Sequence, residues 1–444
     1  MLRRYVMRAL IRNVYIITMD DQDNQYPGGC IAVEGDTIAY VGDEERLPAG
    51  FVPDGILDGC GMLALPGFVN AHTHSAMSLF RGYANDIPLM DWLAQKIWPL
   101  EDRLQPQDAY WLSMLSIAEM AMSGVTAFAD MYMFMDQTAK AVEHSGIRAV
   151  LARGLQGPDA RSEQRLAENR RLWEEWHGGA EGRIRVMVGP HAIYTCDGDY
   201  LKRCMDLAEQ LGVGLHIHLA ETRTEVEEAL KKHGKTPVEY LESIGFFNLP
   251  VLAAHCVHLT QRDMDILKEH DVQVAHCPVS NLKLGSGIAQ VSLLLEKGIN
   301  VGLGTDSAAS NNSLSVMREM TFAALLGKGI NEDPTVIPAK QALKMATVCG
   351  AKAIGWSHEI GSLEPGKKAD IILIKCDAPH YYPAADPVTH LVYSGRDADV
   401  DTVIVNGKVL MRKRQLTTID LERVYYEVGQ IRNRVMGGGT EDAC

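Results

Sequence analysis

Residues 63–74 read LALPGFVNAHTH. An apolar run passes through a Pro-Gly pair and ends in two histidines one residue apart. On an extended strand alternate side chains share a face, so His72 and His74 point the same way. The run Leu63–Asn70 is the first of eight short apolar stretches, followed by Val125–Asp130, Arg148–Arg153, Ile184–Pro190, Gly214–His218, Val251–His255, Gln273–His276 and Asn300–Asp306. Helical patterns lie between them, as at Ala109–Met122, Gln137–His144, Arg165–Trp176, Tyr200–Leu211 and Leu314–Leu326. Eight strands alternating with helices predict an α/β fold, a (β/α)₈ TIM-type barrel over residues 63–364. A doubly wound sheet predicts fewer strands and a glycine-rich phosphate loop after the first, and no such loop is present.

The two ends of the chain have a different texture. Ala9–Met19, Cys30–Glu34 and Thr37–Val41 read as strands, the last after a Gly-Asp turn. Ala369–Lys375 follows a Pro-Gly turn, and Val400–Val405 and Lys408–Met411 flank Asn406-Gly407, a hairpin signal. This predicts a discontinuous small β-sandwich domain, residues 1–62 and 365–420, closing around the barrel. Residues 421–444 are expected to be a C-terminal helix and a flexible tail, GGGTEDAC.

Composition limits the partners. The 444 residues are 46% hydrophobic and 23% charged, the ordinary globular range. Asp plus Glu is 57 against 43 Lys plus Arg, a net charge of −14. Such a surface repels phosphate backbones and anionic lipid, so neither nucleic acid nor membrane is expected as a partner. The nine cysteines are scattered without CxxC spacing, which fits reduced thiols and a cytoplasmic location. In MLRRYVMRALIRN, Arg8 interrupts what would be the apolar core of a signal peptide, and the segment reads as a leader into the first strand.

In a TIM-type barrel the chemistry lies at the C-terminal ends of the strands. Here six of the eight ends supply the candidate site residues: His72 with His74, Arg153, His191, His216 with His218 and then Glu221, His255, and Asp306. Histidines scattered through a core would not track strand ends. His72, His74, His218 and Asp306 form a donor set for one divalent metal ion, best suited to Zn²⁺ with an open position for water. Fe²⁺ is also acceptable to imidazole and carboxylate. A metal there makes hydroxide available near neutral pH. His216 faces the same side as His218 by parity, and His218 is preferred because Glu221 follows three residues later. Glu221 is the expected acid that carries a proton to a leaving group. His255 is expected to polarise the attacking water, and Asp306 to touch the metal and take the water's proton. His258 and His276 read as supporting or loop positions. His144, His177, His233, His270, His358, His380 and His390 read as surface or loop residues.

Together PGFVNAHTH (66–74), HIHLAE (216–221), AAHCVH (253–258), GTDSAASNNSL (304–314) and GSLEPGKKADIIL (361–373) resemble the amidohydrolase superfamily. The likeness runs through nearly the whole chain and is strongest to the 5-methylthioadenosine/S-adenosylhomocysteine deaminase family. That resemblance places the family's metal ligands on His72, His74, His218 and Asp306, and its catalytic pair on Glu221 and His255. It adds substrate contacts that spacing cannot supply. Glu101, in WPLE (98–101), matches a glutamate that binds ribose hydroxyls, and His191, in GPH (189–191), a histidine that contacts the nucleoside. Arg153, in LARGL (151–155), and Arg165, in RLAEN (165–169), match arginines for the carboxylate of homocysteine, a group that a guanidinium fork suits. Trp92 and Trp98 offer apolar surface to a thioether or purine. One departure stands out: where the family commonly has glycine after Thr-Asp, this chain has Ser307, which adds bulk or a hydrogen bond beside the ligand.

The resemblance implies hydrolytic deamination of an adenine nucleoside bearing a 5′-thioether, with a small-molecule nucleoside as the partner. It leaves open whether the chain forms a homo-oligomer. Two other readings compete. One is an aminohydrolase or chlorohydrolase for guanine or an s-triazine. The other is a non-catalytic barrel, which would be expected to have lost metal ligands that are all present here.

Overall fold

The computed structural model describes residues 8–383 and 385–437. The decisive run does not form one strand. Met62–Pro66 pairs antiparallel with Ile371–Lys375, whereas Phe68–Thr73 pairs parallel with Val125–Tyr132. Gly67 is the joint between two sheets. A Cβ there would sit 2.0 Å from the Thr126 hydroxyl oxygen, so only glycine fits the passage. The single strand expected over 63–70 is therefore corrected to two, because period-two patterning cannot show where a chain changes sheets.

The barrel strands are β1 (Phe68–Thr73), β2 (Val125–Tyr132), β3 (Arg148–Leu155), β4 (Ile184–Pro190), β5 (Leu215–Leu219), β6 (Val251–His255), β7 (Gln273–His276) and β8 (Val301–Leu303). They are hydrogen-bonded in chain order. The seam between β8 and β1 closes through a main-chain bond and a side-chain clasp. Asp306 N–H donates to the His72 carbonyl at 2.9 Å, and Thr305 N–H donates to Asn70 Oδ1 at 2.9 Å. Asn70 Nδ2 returns a bond to Thr305 Oγ1 at 2.8 Å. Val69, Ala127, Val150, Leu252 and Ala275 fill the interior together with Trp356. The guanidinium groups of Arg148 and Arg185, from the starts of β3 and β4, lie 5.2 and 4.9 Å from the Trp356 ring centre. Packing thus stops the N-terminal end and leaves the C-terminal end to bind ligands.

The chain ends meet, as expected, and among the described residues they form one continuous nine-stranded sheet. Arg8–Ile17, Gln25–Glu34 and Thr37–Gly42 join Ile371–Lys375, Val400–Val405 and Lys408–Arg412 across Met62–Pro66. The sheet curls until its hairpin turns touch. Gly407, at φ +73°, packs so close to Gly35 that a Cβ would lie 2.0 Å from its carbonyl oxygen. Ile31, Val33 and Ile38 from one half share an apolar cluster with Ile371, Leu373 and Ile404 from the other. The C-terminal helix is Leu421–Met436. Most of the leader, and all of the GGGTEDAC tail except Gly437, lie outside the described residues. Among the described residues no helix is long and apolar enough to cross a membrane.

Candidate active site

His72 is fully buried at the centre of the open end, with the rings of His74, His216, His218 and His255 at 4.8, 5.0, 4.8 and 5.4 Å. The ligand-type atoms of His72, His74 and Asp306 lie within 4.8 Å of one another, as do those of His72, His218 and His255. His74 Nδ1–H donates to the Met131 carbonyl at 2.5 Å, and His218 Nδ1–H to the His191 carbonyl at 2.8 Å. Those bonds fix the tautomer and leave both Nε2 lone pairs aimed at each other, 3.1 Å apart. Two lone pairs at that distance repel unless a proton or a metal ion lies between them. Asp306 Oδ1 stands 3.2 Å from His74 Nε2 and 3.6 Å from His72 Nε2. His72 Nε2 is buried and has no hydrogen-bond partner. Without an ion, burial works against protonation of His74, but the Asp306 carboxylate overrides it and holds the imidazole up to about 9. Three imidazole nitrogens and a carboxylate oxygen, with one nitrogen orphaned, fit a divalent cation of the zinc type.

A second set of contacts orients these donors. His216, read as the spare histidine, receives the His72 Nδ1–H on its Nε2 at 2.9 Å in the tautomer that frees His72 Nε2. It supports the ligand from within the barrel. Asp306 Oδ2 accepts the hydroxyls of Ser280 and Ser310 at 2.6 and 2.7 Å. Ser307 accepts the Ser310 N–H at 3.0 Å and so caps the short helix Ala308–Asn311. Its side chain is buried, and its hydroxyl also bonds Ser310 Oγ at 3.0 Å. The Ser307 hydroxyl thus supports the loop that carries Asp306.

Glu221 and His255 face this cluster. Glu221 Oε2 is 3.9 Å from His255 Nε2, and Glu221 Oε1 accepts Ser286 Oγ at 3.2 Å. Burial pushes the Glu221 carboxyl above its ordinary range, which favours a proton-holding acid. His255 Nδ1 donates to Asn281 Oδ1 at 2.8 Å, which turns Nε2 toward the site. The Glu225 carboxylate accepts both Ala220 N–H at 3.0 Å and Glu221 N–H at 2.8 Å. Ala220, His255 and Asp306 all leave their strands at positive φ, +49°, +72° and +60°. Left-handed backbone at non-glycine residues costs roughly 1–2 kcal/mol each, and here it falls at three strand ends that face the cluster.

Above the cluster opens a cavity of about 860 Å³. Glu101, Arg153, Arg165 and His191 all line it, with Trp92, Trp98 and Ser307. Glu101 Oε1 accepts the Tyr132 hydroxyl at 2.6 Å. Arg153 Nε bonds Glu168 at 2.8 Å, and Arg165 bonds both Asp159 oxygens at 2.8 Å. Both arginines therefore already have carboxylate partners at the cavity wall. His191 Nδ1 pairs with Thr195 Oγ1 at 2.9 Å, and burial pushes its pKa down to about 3. Of the remaining histidines, His258 Nε2–H donates to the Ser286 carbonyl at 2.6 Å, behind Glu221. His276 is buried.

Sequence reasoning missed Asn70, Asp130, Tyr132, Glu225, Ser280, Asn281 and Ser310. Asp130 carried a signal, since it is a carboxylate closing one of the eight runs. Asn70, Ser280 and Asn281 carried none, because their partners lie 26 or more residues away, whereas Ser310 meets Asp306 only four residues before it.

Comparison with known proteins gives the family of the chain. A family description, "Amidohydrolase family", matches residues 63–410. A 5-methylthioadenosine/S-adenosylhomocysteine deaminase of Caldanaerobacter subterraneus subsp. tengcongensis is 53% identical over 97% of this chain and 99% of its own. The crystal structure of an adenosine deaminase from Xanthomonas campestris with bound zinc superposes with a TM-score of 0.93 at 32% identity, over 97% of this chain and 99% of that one. An atrazine chlorohydrolase from Arthrobacter aurescens TC1 complexed with zinc gives a TM-score of 0.87 at 25% identity, over 96% of this chain and 100% of that one. The chain belongs to the amidohydrolase family, hydrolases acting on carbon–nitrogen bonds. Within that family it groups with the 5-methylthioadenosine/S-adenosylhomocysteine deaminases.

Proposed function

We propose that this site deaminates adenine nucleosides carrying a 5′-thioether, 5-methylthioadenosine and S-adenosylhomocysteine, with adenosine as a smaller substrate. Water replaces the exocyclic amine, and ammonia and the inosine analogue leave. The naming of the relatives and the size of the cavity support the substrate class. His72, His74, His218 and Asp306 are the residues that would hold one divalent cation, and zinc is bound in two of the solved relatives. When bound, the cation supplies the Lewis acidity that makes water a nucleophile near neutral pH.

The chain's own residues then divide the work. Glu221 gives its proton to the ring nitrogen beside the amine-bearing carbon and recovers one from the new hydroxyl as the amine leaves. His255, oriented by Asn281, presents Nε2 to the charge that develops on the attacked face. Asp306, pinned by Ser280 and Ser310, takes the water's proton and passes it to the departing amine. Glu101 accepts hydrogen bonds from the ribose diol, His191 borders the nucleoside, and Arg153 and Arg165 meet the amino-acid carboxylate. Scattered thiols and acidic charge favour the cytoplasm as the place of work.

The observation that carries the deaminase reading is Glu221, a buried carboxyl set across from the His/Asp cluster and inclined to keep its proton. Ammonia release should be measured over adenosine, 5-methylthioadenosine, S-adenosylhomocysteine, guanine and an s-triazine. Turnover of the thioether nucleosides supports the reading. Turnover of the sugarless rings alone replaces it with the guanine or triazine reading, in which Glu101 has no diol to bind.

A further inference from the structure

Asp130 lies two residues before the end of β2, and none of the chemistry above uses it. It is fully buried in the barrel wall. Its Oδ1 accepts Ser75 N–H at 2.7 Å and the Thr73 hydroxyl at 2.9 Å, and its Oδ2 accepts the Ser75 hydroxyl at 2.5 Å. Thr73 and Ser75 are the two chain neighbours of His74. The residue after Asp130 supplies the carbonyl that takes the His74 ring N–H. Two consecutive residues of one strand end therefore grip the histidine's ring and both sides of its backbone.

The grip is anchored further out. Ser113 Oγ lies 3.0 Å from Ser75 Oγ and 3.0 Å from Thr138 Oγ1, and Ser116 Oγ donates to the Ser75 carbonyl at 2.6 Å. Helices Pro106–Met122 and Met135–Ser145 thereby brace the same turn. A dry core does not need this many polar atoms, and burying a carboxylate is costly unless its acceptors are filled.

We propose that Asp130 is a positioning residue that presets His74 for the metal ion. This rests on the reading of His74 as a ligand. His74 lies past the end of β1, where no ladder bond fixes its backbone, and Asp130 supplies the missing constraint. Loss of outer contacts of this kind typically weakens metal binding about 10–100-fold.

The test titrates Zn²⁺ into the metal-free full chain by chelator competition and records the visible absorption of the Co²⁺-loaded protein. Asp130→Ala should bind Zn²⁺ about 10–100-fold more weakly and change the Co²⁺ band shape. Asp130→Asn should recover most of the affinity, because one amide oxygen still serves Thr73 Oγ1 and Ser75 N–H. Should the alanine variant not fold, Thr73→Val and Ser75→Ala remove the donors singly, and each should weaken Zn²⁺ and alter the band in the same sense. Wild-type Zn²⁺ affinity and an unchanged Co²⁺ spectrum in the folded alanine variant, or in both single-donor variants, would overturn the proposal, whatever the melting temperature does. His74→Ala is the control. If it keeps Zn²⁺ at full affinity the ligand reading itself fails; if it loses Zn²⁺ while the Asp130 variants do not, only the positioning role fails.

Discussion

The floor of the active site and its mouth are built on different principles. On the floor, His72, His74, His218 and Asp306 stand at strand ends, and each has its second polar atom tied to another group of the protein. Little remains for a metal ion to organise. At the mouth, Arg153 and Arg165 lie against Glu168 and Asp159, and the Asp159 side chain is 47% exposed. Ion pairs near solvent are worth about 0–1 kcal/mol, so under the proposed function Arg165 can exchange Asp159 for a substrate carboxylate at small cost. The floor is preset for one chemistry, and the mouth can adapt to what enters.

Substitutions separate the two regions. The largest effect is expected from His218→Ala, which should lose both bound metal and ammonia release, read by metal analysis and a steady-state assay. Full metal content would show that the floor does not work as a unit. Glu221→Gln should keep the metal yet lower kcat roughly 10²–10⁴-fold, the usual worth of a positioned acid; unchanged turnover would remove Glu221 from the proton route. At the mouth, Arg165→Ala should raise KM for S-adenosylhomocysteine about 10-fold, about 1.4 kcal/mol, and leave adenosine nearly untouched. An equal rise for both substrates would mean that the residue shapes the wall without reading a carboxylate.

A last effect leaves the chemistry alone and concerns stability beneath the floor. Glu319 accepts Asn311 Nδ2 at 2.7 Å and Val279 N–H at 3.1 Å, tying together the loops after β7 and β8. Burial pushes its carboxyl from the ordinary 4.5 up to about 8. The folded chain therefore keeps a proton that the unfolded chain releases. Its contribution is fully present below 4.5 and is lost as pH rises toward 8, at most by roughly 1.4 kcal/mol per pH unit. Thermal melts across that window should fall for the wild type and fall less for Glu319→Gln. Parallel curves would assign the slope to other groups.

What the sequence made legible follows the same divide. Strand alternation fixes which side chains share a face, so the spacing of His72 with His74 and of His216 with His218 could be read directly, and the end of a run marked His255 and Asp306. Periodicity does not show contacts across the chain. Asn70 meets Thr305 across 235 positions, and Ser280 meets Asp306 across 26, so neither could be read. The break at Gly67 was hidden because both strands beside it are apolar. For Arg153 and Arg165 the sequence offered only likeness to a family, and their carboxylate partners emerged from the loops and helices around them.

On the proposed reading, three imidazoles and one carboxylate on the barrel floor hold one divalent cation. Anomalous diffraction at the zinc edge from crystals of the metal-loaded chain tests it most directly. The expected result is a single peak per chain bounded by Nε2 of His72, His74 and His218 and by the Asp306 carboxylate. A peak elsewhere, or none in a chain that still releases ammonia, would contradict it.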